Sequence, residues 1–154
     1  MSAQLVDFRR LVFPRAHFRW AELVPPECRA GAEPWMLGNL KALVHTIVEP
    51  IRRRLCHPIV ISPHGGLRLP EFNKRWGGAT HSIHTLGGAL DLTPKGQDPD
   101  RVEQIVEIAK TLNPWQIIVY PTFVHVAIGV STHPKHAARY WADHRGPRKV
   151  RLAA

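Results

Sequence analysis

The chain has 154 residues, which fits one ordinary domain and is short for two. A hydrophobic fraction of 44% with 21% charged residues permits a packed core and argues against a chain that is disordered throughout. The formal net charge of +9 favours anionic partners: nucleic acid, a membrane surface or an acidic cell-wall polymer.

The first third of the chain predicts one long helix. Residues 1–33 have no regular pattern apart from a short amphipathic stretch at 18–23. Pro34 then suits a first helical turn, and apolar residues recur at helical spacing from Met36 to Ile51. We expect Pro50 to kink this helix or to close it near residues 52–55.

The remainder of the chain mixes short strands with helices. The strands are predicted at residues 58–62, 89–92, 115–120 and 123–128, and the helices at residues 70–76 and after Asp98 or Asp100. The last two strands are close enough to form a hairpin. Because strands and helices do not alternate regularly, the pattern predicts an α+β fold, with helices packed on a small mixed or antiparallel sheet, rather than a doubly wound parallel sheet.

One apolar strand contains an aspartate that needs a partner. Asp91 lies between Leu90 and Leu92, and a buried carboxylate is costly unless its charge is paired or bound to a cation. His84 precedes it at a predicted turn, and the Gly87-Gly88 pair permits the chain to bring His84 back beside Asp91.

A second apolar strand contains a third potential ligand, His125. Two imidazoles, one carboxylate and an open fourth position form a coordination set typical of catalytic zinc. The alternative is a core histidine with a backbone partner, which is the commoner use of a lone buried histidine. Neither cysteine, Cys28 or Cys56, belongs to a CxxC pair, so histidine and carboxylate would have to hold any metal.

The residues around this motif resemble a known family. Residues 82–91, SIHTLGGALD, are similar to the Ser-x-His-x-x-Gly-x-Ala-x-Asp signature of the M15 metallopeptidases, the D-alanyl-D-alanine carboxypeptidase-like enzymes. Further segments of the family are resembled in the same order by residues 18–23, 39–52, 66–73, 77–78, 115–118 and 124–126. The resemblance implies a hedgehog/D-Ala-D-Ala peptidase-like fold, zinc held by His84, Asp91 and His125, and peptidoglycan stem peptides as the substrate class.

The same resemblance divides the chain and gives two residues a role. It predicts an N-terminal extension at 1–17, the peptidase domain at 18–130 and a basic C-terminal tail at 131–154. By resemblance, Arg68 would bind a substrate carboxylate through a forked pair of hydrogen bonds, and Ser82 would hydrogen-bond nearby. From the sequence alone, Arg68 fits a surface loop equally well.

The general base is where the chain departs from the family. Related peptidases place a carboxylate just before the last histidine ligand or at the end of the preceding strand, and here those positions hold Thr122 and Tyr120. Three residues remain as candidates for base or acid: Glu71, His81 and Tyr120. His64 is a further candidate, although the segment around it also departs from the family pattern.

The sequence therefore predicts a zinc peptidase of the endolysin type that hydrolyses peptidoglycan stem peptides or cross-links. The alternative is a catalytically impaired zinc-binding module with a cell-wall or virion-structural role. The basic tail would contact an anionic cell-wall polymer, whereas a nucleic-acid partner is disfavoured. With neither an apolar run of about 18 residues nor a secretory signal, we expect synthesis in the cytoplasm and action at the cell wall after release or on a virion.

Overall fold

The computed structural model describes residues 6–130 and 139–152. The helices are α1 (Trp20–Leu23), α2 (Pro26–Arg29), α3 (Pro34–Leu43), α4 (Glu49–Leu55), α5 (Pro70–Arg75) and α6 (Pro99–Leu112). A π-helical turn occupies Val44–Val48, and a 3₁₀ turn occupies Ile83–Leu86. The strands are β1 (Ile59–Ile61), β2 (Ala89–Pro94), β3 (Gln116–Val119), β4 (Val124–Ala127), β5 (Tyr140–Asp143) and β6 (Val150–Arg151).

The described strands form one mixed sheet in the order β1-β2-β4-β3-β5-β6. β3 and β5 run parallel, and the other neighbours are antiparallel. This arrangement confirms the predicted α+β class and the hairpin of β3 with β4. None of the described helices combines the length and the apolar character needed to cross a membrane.

The predicted long helix passes through Pro50 rather than ending there. Proline lacks the N–H that a helix uses, and its ring clashes with the carbonyl four residues earlier. The chain accommodates Pro50 by widening into the π-helical turn just before it, after which α4 runs to Leu55. Cys56 then ends the helix with a left-handed φ of 51°.

The two faces of the sheet hold different kinds of side chain. Fully buried aliphatic side chains occupy alternate positions of three neighbouring strands: Leu90 and Leu92, Val124 and Val126, and Ile117 and Val119. The helix α6 packs across these strands with its apolar side, which holds Ile105 and Val106. The opposite face is therefore left for the polar residues Asp91 and His125.

The N-terminal extension packs on the domain where it is described. Leu11 forms a bridge with Arg19, and Val12 is buried in the same core as Phe18. The His17 backbone N–H donates to the buried carboxylate of Glu49 at 3.0 Å, which ties the segment to α4. Residues 1–5 lie outside the described residues.

The predicted basic tail contributes two strands that the sequence pattern did not predict. β5 pairs with β3, and Trp141 on β5 is only 6% exposed, with its indole N–H donating to the Pro114 carbonyl. β5 could not be predicted from the sequence because Tyr140–Asp143 is short and lacks a clear alternation of apolar and polar residues. Residues 131–138 and 153–154 of the predicted tail lie outside the described residues.

Candidate metal centre

Two neighbouring strands place Asp91 beside His125. The antiparallel register of β2 and β4 pairs these residues directly, so their side chains extend from the same face of the sheet. His125 Nδ1 lies 2.9 Å from Asp91 Oδ1. The Asp91 backbone N–H also donates to the Gly65 carbonyl, which holds the loop after β1 against this part of β2.

A short helical turn brings His84 to the same point. Ser82 caps the 3₁₀ turn by accepting a hydrogen bond from the His84 backbone N–H at 3.3 Å. Gly87 ends the turn with a φ of 70°, and a Cβ at this position would lie 2.4 Å from the Met36 carbonyl oxygen. Only glycine satisfies both conditions, so the predicted tight return of the chain depends on Gly87.

The three side chains converge on one small volume. His84 Nε2 lies 3.2 Å from Asp91 Oδ1 and 3.2 Å from His125 Nδ1. His84 is only 1% exposed, and the other two side chains are largely buried. Among the described residues, these three are the potential metal-binding side chains that lie close enough together to hold one metal ion.

Hydrogen bonds behind the cluster fix which ring nitrogens carry protons. His84 Nδ1 lies 2.9 Å from the Gly66 carbonyl, which can only accept, so Nδ1 donates and Nε2 keeps its lone pair. His125 Nε2 likewise donates to Gln116 Oε1 at 3.0 Å and leaves a lone pair on Nδ1. Two imidazole lone pairs and a carboxylate oxygen then face one another.

Such an arrangement favours a positive charge at its centre. Burial lowers the pKa of His84, although the nearby Asp91 carboxylate opposes this effect, so an extra proton on this ring is disfavoured. Burial also opposes ionisation of Asp91, but positive charge or a donated proton on the neighbouring His84 and His125 rings outweighs it and holds its pKa well below the ordinary value. A cation bound among the three groups would supply the same positive charge while both rings stay neutral. An ionised carboxylate with two neutral imidazoles is the donor set of zinc, and carbonyl and amide groups support each ring from behind.

Comparison with known families agrees with this chemistry. A model of the peptidase M15 family matches residues 16–127, more than half of the chain. The chain belongs to the peptidase M15 family. No curated protein matches the chain. In this M15 domain the matched segment ends with β4, so β5 and β6 lie beyond it.

Arg68 lies beside the three candidate metal ligands, His84, Asp91 and His125, which we call the metal cluster. Its backbone N–H donates to the His84 carbonyl at 3.1 Å, and its guanidinium is within electrostatic reach of Asp91. Burial lowers the pKa of this guanidinium, partly offset by Asp91. Arg68 Nε is buried and makes no hydrogen bond within the described part of the chain. A buried donor without an acceptor fits a residue that binds a carboxylate from outside the protein.

Three further predicted site residues, Ser82, Glu71 and His81, take different positions relative to the cluster. Ser82 caps the turn that presents His84, so its hydroxyl helps to position a candidate ligand. Glu71 is exposed in the first turn of α5, and across residues 6–130 and 139–152 no hydrogen bond or ion pair joins it to the cluster. His81 is exposed just before Ser82.

Tyr120 lies within electrostatic reach of the cluster. Its ring stacks on Phe123 at 4.4 Å, and Asp91 and Arg68 both act on its phenol electrostatically. Burial raises the pKa of Tyr120, and the Asp91 charge adds to this effect. The hydroxyl therefore stays protonated at neutral pH and can donate a hydrogen bond, but it cannot act as a base there.

Two supporting groups were missed at the level of sequence. Gln116 begins a strand that is otherwise apolar, and it is 8% exposed, so its position in the pattern was a usable signal. The Gly66 carbonyl gave no signal, because a backbone acceptor has no side-chain signature. His64, the further candidate for base or acid, stacks on Trp76 with 3.6 Å between the ring centroids.

Proposed function

We propose that the chain is a zinc peptidase that hydrolyses peptide bonds in peptidoglycan stem peptides or cross-links. The observation that carries the proposal is the convergence of His84 Nε2, His125 Nδ1 and Asp91 Oδ1, with lone pairs turned inward. Membership of the M15 family supplies the reaction class, hydrolysis of a peptide bond.

Zinc held by these three residues would polarise the scissile carbonyl and lower the pKa of water at its open position. Nearby side chains would bind and orient the substrate and stabilise the developing charge. Arg68 would bind a carboxylate of the peptide through its unpaired guanidinium donors and so orient the substrate. Tyr120 would donate its hydroxyl proton in a hydrogen bond to the oxygen that gains charge during hydrolysis.

A cationic surface supports an anionic polymer as a further contact. The hairpin of β5 and β6 and the loop between them hold four basic residues, Arg145, Arg148, Lys149 and Arg151, against one acidic residue, Asp143. Acidic cell-wall polymers would be attracted to such a surface, and the attraction would weaken as salt is added. The proposed function therefore includes contact with an anionic cell-wall polymer.

A non-catalytic zinc-binding module is the second candidate. The sequence from residue 108 to residue 142 contains neither aspartate nor glutamate. This stretch includes β3, β4 and the turn between them, from which a carboxylate base would reach the cluster. Without a base, activity falls by a factor of about 10²–10⁴, which leaves weak hydrolysis or none.

Metal content and wall hydrolysis, measured on one preparation, separate these functions. We expect one zinc per chain, release of peptides from purified peptidoglycan, and loss of both in His84→Ala. The matched control is His57→Ala, which removes a histidine whose ring bonds to the Lys95 carbonyl, beyond the end of β2. Zinc without release from any wall type would favour the binding module. Protein that binds no zinc at all would overturn both.

A further inference from the structure

The sheet face that holds the metal cluster continues beyond β4. His125 pairs with Ile118 on β3, Ile118 pairs with Ala142 on β5, and Ala142 pairs with Arg151 on β6. Residues paired across neighbouring strands have side chains on the same face. Arg151, at the far edge of the sheet, therefore shares the face of the metal cluster.

At this edge, Tyr140 contacts two other residues, His144 and Arg151. The Tyr140 hydroxyl lies 3.4 Å from His144 Nε2, and the Arg151 guanidinium lies over the Tyr140 ring at 5.8 Å from its centroid. We call Tyr140, His144 and Arg151 the edge cluster. Tyr140 and His144 lie two residues on either side of Ala142, so they occupy the same face.

Tyr120 connects the edge cluster to the metal centre. Its ring meets the His144 ring edge to face, with the centroids 5.3 Å apart. Asp91 and Arg68 act on the same phenol electrostatically. The His144 backbone N–H donates to the Val119 carbonyl at 2.8 Å, which fixes His144 next to the end of β3. The surface from the metal ligands to Arg151 is thus continuous.

The edge cluster presents hydrogen-bond donors and positive charge, and the carboxylate next to it in the chain, Asp143, acts on His144 electrostatically but is bound elsewhere. Asp143 is the one acidic residue of 139–152 in the sequence. It pairs with Val119, whose side chain faces the core, and so extends from the opposite face. There it binds Arg145, which also reaches Glu103 on α6. A guanidinium, a phenol and an imidazole that converge in this way form a binding site for a carboxylate.

We propose that the edge cluster is a second carboxylate-binding subsite, which selects peptides with an acidic side chain upstream of the cleaved bond. This proposal rests on the peptidase function proposed above. Three strand spacings separate Asp91 on β2 from β5, or about 14 Å. An extended peptide covers that distance in about four residues. A substrate whose terminal carboxylate is bound by Arg68 would therefore place an acidic side chain at the edge cluster about four residues earlier.

Peptide binding to the metal-free protein tests the subsite without relying on catalysis. The probes are alanine-based peptides of about six residues that end in D-alanyl-D-alanine and carry glutamate or glutamine about four residues before the end. We expect the glutamate peptide to bind roughly fivefold to tenfold more tightly, as charged hydrogen bonds do. Tyr140→Phe, His144→Ala and Arg151→Ala should each reduce this preference. Arg145→Ala is the matched control, because it removes one positive charge from the other face of the hairpin.

The outcomes separate this subsite from the peptidase function. A glutamate preference lost in the three edge variants and kept in Arg145→Ala supports the subsite. Equal binding of both peptides to the unaltered protein, failure of the glutamate peptide to bind, or a preference unchanged in the edge variants overturns it. Zinc content and hydrolysis of the same peptides are measured in parallel. Zinc-dependent hydrolysis without a glutamate preference rejects the subsite alone, whereas absence of zinc rejects the metal site and leaves the binding result to stand by itself.

Discussion

At the scale of single residues, the candidate metal site depends on groups other than its three candidate ligands. Gln116 Oε1 accepts from His125 Nε2 and thereby leaves the Nδ1 lone pair facing Asp91 and His84. Such supporting hydrogen bonds orient a ligand and select its tautomer. The position of Gln116 is therefore as much a part of the site as that of the ligands.

Replacement of Gln116 by leucine should weaken zinc binding while leaving the three ligands in place. We expect the zinc affinity to fall by about 10–100-fold, as measured by competition with a chromophoric chelator. Gln104→Leu is the control, because Gln104 accepts from Arg101 on the exposed side of α6. Equal zinc affinity in Gln116→Leu and the unaltered protein would show that the amide does not set the tautomer.

Two glycines give opposite predictions for the same substitution. A Cβ on Gly65 would lie 2.7 Å from Asp91 Cβ, so Gly65→Ala should displace the carboxylate, weaken zinc binding and cost about 1–3 kcal/mol of stability. A Cβ on Gly38, inside α3, would meet no atom within 4 Å. Gly38→Ala should therefore stabilise the protein by about 0.5–1 kcal/mol. Urea unfolding and zinc titration of both variants test the pair, and equal effects would contradict it.

At the scale of elements, a buried carboxylate holds the N-terminal segment on α4. Burial tends to raise the pKa of Glu49, but the His17 backbone N–H, the His17 ring and Arg53 hydrogen-bond to it and keep the pKa below its ordinary value. Because the folded pKa is the lower one, the folded protein favours the ionised form. This stability is fully present above the ordinary pKa and is lost as the pH falls through the folded pKa.

Glu49→Gln should therefore destabilise the protein at pH 7 and matter less in acid. We expect a loss of about 1–3 kcal/mol at neutral pH from the weakened hydrogen bonds. The difference from the unaltered protein should shrink as the pH falls below 4.5, the ordinary value for this carboxyl group. Urea unfolding across this pH range measures it. The pKa of Asp91 is also lowered, but Asp91 is present in both proteins, so its pH-dependent contribution to stability cancels in the difference. A difference that stays constant with pH would contradict the proposed role.

The elements themselves followed largely from local chemistry. Pro34, Pro70 and Pro99 each occupy the first turn of the helix that they begin, and Asp98 caps α6 by accepting from the Asp100 backbone N–H. These signals are readable in sequence because they act within a few residues. The π-helical turn before Pro50 could not be read in this way, since it depends on the packing of both halves of the helix on the core.

At the scale of the whole molecule, β5 completes the sheet from a part of the chain beyond the family match. Trp141 is 6% exposed and belongs to the same hydrophobic core as Ile117, its partner on β3. The last strands are therefore part of the fold, and their removal would uncover one edge of β3.

Trp141→Ala should cost about 3–5 kcal/mol of unfolding free energy, because it leaves a cavity in the core. Val150→Ala on β6 is the control, since Val150 is 55% exposed and its loss should change stability by about 0.5 kcal/mol or less. Thermal and urea unfolding of the two variants provide the measurement. Equal stabilities would show that β5 adds little to the fold.

The sequence by itself determined the fold class, the long helix, four of the strands as short apolar runs and the three candidate ligands. It did so because each depends on a local signal: helical spacing, proline and glycine positions, or a polar residue inside an apolar strand. Asp91 between Leu90 and Leu92, and His125 between Val124 and Val126, were conspicuous for this reason.

Tertiary structure alone decided how these residues act together. The register of β2 with β4 placed Asp91 beside His125, and the carbonyl of Gly66 fixed the proton on His84. The parallel pairing of β5 with β3 brought Tyr140 and His144 onto the face of the metal cluster. Each of these contacts joins residues that are distant in the chain. The sequence around one of them does not indicate which distant residue it will contact. Only the packed sheet makes them neighbours.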